Sequence, residues 1–119
     1  DTPVCYNTEK ENNMGSFYTK IVGVTFENRQ RLISRLKRNN KLTPGTPLTL
    51  VAEIDNAYDK YAVKVVTMDG EQLGYISKEI NQDIHNNLIR GRKYYVTVGS
   101  VSGGQSEDQN YGVNIKVEY

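Results

Sequence analysis

The last ten residues, Asn110 to Tyr119, alternate without a break: Tyr111, Val113, Ile115, Val117 and Tyr119 share one parity, and polar residues or glycine hold the other. A period of two sends successive side chains to opposite faces of an extended chain, so this run reads as a strand buried on one side. Five more short runs rich in β-branched or aromatic residues precede it: Phe17–Phe26, Pro47–Ile54, Tyr61–Met68, Glu71–Ile76 and Arg92–Ser102. In the second, Leu48, Leu50, Ala52 and Ile54 are expected to point inward. Asp69-Gly70 between the third and fourth is a two-residue hairpin signal. Gly74 inside the fourth marks a bulge or a close approach of another backbone. Six short strands in a chain of 119 residues predict a single, mainly β (α+β) domain closed or nearly closed into a small barrel, because closure removes exposed sheet edges.

Two segments carry a helical period instead. Across Arg29 to Asn39, Leu32, Ile33 and Leu36 form one apolar stripe, Arg31, Arg35 and Arg38 recur on another face, and Asn39-Asn40 with Pro44-Gly45 end the helix. Asn28 is placed to cap it, and Glu27 is spaced to pair with Arg31. Arg29 falls within the apolar stripe, which predicts either a structural pair with an acid such as Glu53, the favoured reading, or a side chain turned toward a binding pocket. After Ser77, read as a cap, Ile80, Ile84 and Leu88 give a second helix its buried stripe, and Gly91 ends it. His85 lies one position off that stripe and is expected at the surface.

Asp1 to Ser16 holds a Thr-Pro turn, several asparagines and charges, and no periodicity, so it reads as a tail or linker ahead of a domain over residues 17–119. A start at Asp1 rather than Met is expected of a piece of a longer protein. The one cysteine, Cys5, lies in the tail and cannot form an internal disulfide; with one histidine, His85, it makes no zinc cluster. A reducing, intracellular compartment follows as the expectation, cytoplasmic in a bacterium and nuclear in a eukaryote. No cofactor is expected, and no run approaches the roughly 20 apolar residues of a membrane helix.

The formal net charge is +1, far from that of a uniformly basic nucleic-acid binder. Its distribution is uneven. Arg29, Arg31, Arg35, Lys37, Arg38 and Lys41 face only Glu27 between residues 27 and 41, and Arg90, Arg92 and Lys93 form a second basic group.

Between the second and third strands, Asp55-Asn-Ala-Tyr-Asp59 holds more chemistry than a connection needs. Tyr58 offers a flat stacking face, Asn56 an amide donor and acceptor, and ionised Asp55 and Asp59 accept hydrogen bonds only. In an Asp- and Asn-rich turn such groups also bond their own backbone, and that bland role stays open. A two-metal nuclease would need more carboxylates together, and neither a P-loop nor a nucleophile–base arrangement is present.

The chain resembles the HIRAN domain family. The matching pieces are Ile21-Val-Gly-Val-Thr-Phe26 followed by Asn28-Arg29-Gln30, Leu50-Val-Ala-Glu53, Asp55-Asn-Ala-Tyr-Asp59, Ala62-Val-Lys-Val65 and Gly70-Glu-Gln-Leu-Gly-Tyr-Ile-Ser-Lys-Glu79. The resemblance implies a small β-barrel related to OB and SH3-like barrels, and a non-catalytic module that binds single-stranded DNA at a free 3′ end. It further implies that Asp59 accepts a hydrogen bond from the terminal hydroxyl, Tyr58 stacks on the terminal base, Asn56 touches the end nucleotide, Lys78 meets phosphate and Phe26 stacks. Thr25 and Tyr75 depart from the family pattern, which has a basic residue and a histidine there. The expected DNA-binding set is Phe26, Asn56, Tyr58, Asp59, Tyr75, Lys78 and Tyr111, serving an ATPase or nuclease fused to or associated with the module. The alternative is a protein-interaction barrel that docks a peptide through Tyr58, Tyr61, Tyr75, Tyr94, Tyr95 and Tyr111. The oligomeric state is not legible.

Overall fold

A computed structural model describes residues 15–106 and 109–119. The expected tail therefore lies almost wholly outside the described residues, as do Cys5, Glu107 and Asp108. Eight elements follow in order: β1 (Ser16–Lys20), α1 (Arg29–Arg38), β2 (Pro47–Ala52), β3 (Val63–Thr67), β4 (Gln72–Tyr75), α2 (Asn81–Ile89), β5 (Tyr95–Ser102) and β6 (Gly112–Glu118). The six strands form one antiparallel sheet in the order β1-β6-β5-β2-β3-β4.

The sheet curls until its two ends share a segment. Ile21, just past β1, donates its N–H to Val113 O on β6 at 2.9 Å, and the next residue, Val22, exchanges two 2.9 Å bonds with Tyr75 at the end of β4. One residue thus faces each edge, and the backbone groups that an open sheet would expose are paired there. This closure explains Gly74. A Cβ on it would lie 2.5 Å from both Ile21 Cγ2 and Val22 O, so only glycine lets the crossing chain approach, and the strand pairing shifts beside it, between Val65 and Val66.

The core follows the alternation. Leu48, Leu50, Val63, Val65, Leu73, Val96, Val98, Val113, Ile115 and Val117 bury one face of the sheet against Ile33 and Leu36 of α1 and Ile84 of α2. Burial of each such side chain contributes about 1.5–3 kcal/mol.

Several boundaries differ from the sequence reading. β1 stops at Lys20 rather than running to Phe26, because Gly23 takes φ 74° and turns the chain. β2 ends at Ala52, and Ile54 points to solvent in the bend that follows. The β3–β4 loop has four residues, Met68 to Glu71, rather than two: Thr67 N donates to Glu71 O at 2.8 Å, with Gly70 left-handed at φ 88°. Asn28 precedes α1 but is itself left-handed at φ 65° and makes no side-chain cap, and Glu27 pairs with Arg29 rather than Arg31. Ile80 has φ −131° and stands before α2, so the stripe turns by one position: Asn81, Ile84 and His85 are buried while Ile80 is exposed. His85 is 4 % exposed, its Nδ1 is 3.1 Å from Ala62 O, and its ring meets Tyr61 edge-on. It is a core residue, not a surface one.

Candidate functional site

The Asp55–Asp59 segment is a turn held by its own side chains. Asn56 Oδ1 accepts the N–H groups of Tyr58 (2.8 Å) and Asp59 (2.9 Å), and its Nδ2 donates to Glu53 Oε1 at 3.0 Å. Asp59 Oδ1 accepts from Tyr61 N at 2.9 Å, and Oδ2 accepts from Asn81 Nδ2 at 2.8 Å. The bland role read from the sequence is therefore real: Asn56 and Asp59 are turn formers. Each Asp59 oxygen nevertheless has a second lone-pair direction, and the carboxylate is half-buried and fixed from two sides. Its neighbour Tyr58 is 94 % exposed, a ring standing in solvent on a rigid turn.

Glu53 ties this turn to the sheet. Its Oε1 also accepts from Tyr75 OH at 3.1 Å, and its Oε2 lies 3.7 Å from Lys64 Nζ. The Asn56 hydrogen bond, with Tyr75 and Lys64 adding to it against partial burial, holds the Glu53 carboxyl below its ordinary pKa of 4.5. Lys64 and Tyr75 are opposite each other on β3 and β4, so the turn rests on a sheet face that carries an aromatic ring and a cation.

A second loop abuts the same ring. Arg29, only 6 % exposed, donates to Gly23 O at 2.7 Å and to Glu27 Oε2 at 2.8 Å, with its Cζ 5.4 Å from the Tyr75 ring centroid. Its expected structural pair exists, but with Glu27 and not Glu53. Pinned from within, the Gly23–Asn28 loop takes two successive left-handed residues, Glu27 (φ 55°) and Asn28 (φ 65°), and leaves Phe26 66 % exposed. A non-glycine residue at positive φ costs energy, and such strain collects where a side chain must be presented. Phe26 is one of two phenylalanines in the chain; the other, Phe17, packs on Tyr119.

Asn56, Tyr58, Asp59 and Tyr75 thus belong to one connected cluster, and the Arg29 contact brings the Phe26 loop to it. Lys78 is exposed on the short segment that leads into α2, where Ser77 Oγ accepts Glu79 N at 3.2 Å. Tyr111 belongs to a different neighbourhood. Its N–H donates to Gln30 Oε1 at 2.6 Å, its carbonyl accepts from Gln30 Nε2 at 3.0 Å, and Lys37 Nζ lies 5.4 Å from its ring centroid. Of the tyrosines expected to form one docking surface, Tyr58, Tyr61 and Tyr75 adjoin the Asp59 turn, whereas Tyr94 contacts Asn87 and Arg92.

The sequence reading missed Glu53 as the hub and Asn81 as the partner of Asp59. A signal for Asn81 existed, since Asn81, Ile84, His85 and Leu88 share one helical face, but it required starting α2 one residue later. Among the described residues no group of three or more His, Cys, Asp or Glu side chains could hold a metal ion, and no helix is long and apolar enough to cross a membrane.

A family model for the HIRAN domain matches residues 14–119. The chain belongs to the HIRAN domain family. This is a family of binding domains, not catalytic ones, known for binding nucleic acid. A crystal structure of the HIRAN domain of human HLTF is similar with a TM-score of 0.61 and 18 % identity, over 87 % of this chain and 75 % of that one. A crystal structure of a protein from Lactobacillus plantarum is similar with a TM-score of 0.59 and 22 % identity, over 88 % of this chain and all of that one. At those identities the likeness shows the fold alone. No curated protein matches the chain.

Proposed function

We propose that this HIRAN domain grips the free 3′ end of single-stranded DNA on the Tyr58 turn and so positions a repair or processing activity carried elsewhere in the same protein or by a partner. The observation that carries the reading is the pairing of a rigid, half-buried carboxylate, Asp59, with a solvent-exposed ring on the residue before it, Tyr58. A terminal 3′-hydroxyl is a donor that internal nucleotides lack. An acceptor-only group rewards it, whereas the same carboxylate repels a mid-strand phosphate. Stacking on Tyr58 and Phe26 contributes about 1–3 kcal/mol per base and tolerates any base, so the site reads an end rather than a sequence. Lys64 and Lys78 supply nearby positive charge for the flanking backbone.

The test compares Tyr58→Ala and Asp59→Asn with the unaltered domain in anisotropy titrations against a short single strand. Tyr58→Ala is expected to weaken binding about tenfold, in line with one lost stacking contact. Asp59→Asn is expected to weaken 3′-hydroxyl strands while binding 3′-phosphorylated ones no worse. Unchanged affinity in both folded variants, with binding insensitive to salt, would instead support docking of a peptide.

A further inference from the structure

The turn leaves acceptor capacity on Asp59 that the end of a DNA strand, with its single terminal hydroxyl, does not fill. Tyr61 N at 2.9 Å occupies one direction on Oδ1, and Asn81 Nδ2 at 2.8 Å occupies one on Oδ2. An ionised carboxylate has about four lone-pair directions, so one stays open on each oxygen. We infer that this pair of acceptors is fitted to a vicinal diol, and that the strand end held best is a ribonucleotide, whose cis 2′- and 3′-hydroxyls each meet one Asp59 oxygen. The inference rests on the end-binding reading and names the terminal sugar that the same site prefers.

Fixity is the first argument. Tyr61 donates from the backbone of the turn, and Asn81, only 3 % exposed, donates from α2. Two donors on different elements set the plane of the carboxylate, so its two open directions are presented as a fixed pair. The helix is tied to the same segment a second time by His85, whose Nδ1 is 3.1 Å from Ala62 O. The two hydroxyls of a ribose end lie side by side on one face of a five-membered ring, the arrangement a carboxylate accepts in bidentate fashion.

The second argument is where the neighbouring donors go. Asn56 Nδ2 and Tyr75 OH both bond Glu53 Oε1, at 3.0 and 3.1 Å, and Lys64 Nζ approaches Glu53 Oε2. These side chains are committed to Glu53 rather than to Asp59. With a DNA end bound, one open direction of Asp59 is left to water. With a ribonucleotide end both are filled, by hydrogen bonds that an ionised acceptor strengthens. The third argument is access. Ala57, Tyr58 and Lys60 beside Asp59 are all exposed, so the carboxylate stands at an open rim, with no wall of the turn to strike a 2′-hydroxyl. That hydroxyl is the group by which a protein tells RNA from DNA at a given position.

The decisive experiment measures anisotropy affinities of the unaltered domain for DNA strands that differ only in the last nucleotide: deoxy, ribo, arabino, 2′-fluoro or 2′,3′-dideoxy. The ribo end is expected to bind about tenfold more tightly than the deoxy end, the scale of one added hydrogen bond to a charged group. The deoxy end should in turn bind more tightly than the dideoxy end. The arabino end carries its 2′-hydroxyl on the opposite face of the sugar from the 3′-hydroxyl, and the 2′-fluoro end keeps the ribose pucker without the donor. Both should bind like the deoxy end. Asp59→Asn, which keeps one acceptor oxygen, should bring the ribo and deoxy ends to equal affinity. Equal affinity of these two ends in the unaltered domain, with the dideoxy end weaker, would overturn the inference and leave end recognition standing. A gain shared by the 2′-fluoro or arabino end would also overturn it, by assigning the preference to sugar pucker or to a contact elsewhere. If deoxy and dideoxy ends bind alike, recognition of the DNA end has failed. A ribo end that still binds more tightly then supports the diol site, and one that does not overturns it.

Discussion

At Glu53 two donors share one carboxylate oxygen and a lysine approaches the other. The Asn56 bond holds its folded-state pKa below 4.5. Near that pH the unfolded chain binds more of this proton than the folded one, so stability rises with pH. The contribution is complete above the unfolded value and is lost as pH falls through the lower folded value. Glu53→Gln is therefore expected to lower the urea midpoint at neutral pH, and the gap from the unaltered domain is expected to close in acid. A gap that stays constant with pH would remove the charged role of Glu53. Single residues were legible where their chemistry was local. The Asp55–Asp59 turn announces itself because Asn and Asp bond their own backbone within two or three positions. Arg29 could be placed inside the helix stripe, but its acid could not, because Glu53 and Glu27 are both within reach of a long side chain until the loop geometry selects one.

Among the elements, α2 carries more of the site than its sequence declared. Asn81 and His85, one turn apart, meet Asp59 and Ala62 at the two ends of a single segment, so the helix fixes the turn as well as the core. Asn81→Ala is expected to cost about 1 kcal/mol of stability and to reduce the preference for hydroxyl ends by freeing the Asp59 carboxylate, with urea denaturation and anisotropy as readouts. An undiminished preference would mean that the Tyr61 amide alone orients Asp59. Strand patterns were readable as to existence and inward parity, since Leu48, Leu50, Val113, Ile115 and Val117 are buried as their alternation requires. Strand ends were not. Ile54 continues the parity of β2 yet lies past its end, and the β-branched and aromatic run that begins in β1 continues to Phe26 through a turn that only the conformation of Gly23 reveals.

On the scale of the whole molecule, closure of the sheet and placement of the site are one event. The Val22–Tyr75 bridge that joins the sheet ends also seats the Tyr75 ring between Arg29 and Glu53, and so sets the Phe26 loop and the Tyr58 turn on neighbouring ground. Barrel closure followed from the count of short strands; which residues closure brings together did not, because the contacts join positions 22 and 75, or 59 and 81, with no local pattern linking them. The central claim is that a fixed acceptor reads a terminal donor. It is tested most directly by the ratio of affinities of the intact domain for otherwise identical single strands ending in 3′-hydroxyl and in 3′-phosphate. The account predicts at least tenfold tighter binding of the hydroxyl form, abolished in Asp59→Asn; equal affinities in the intact domain would contradict it.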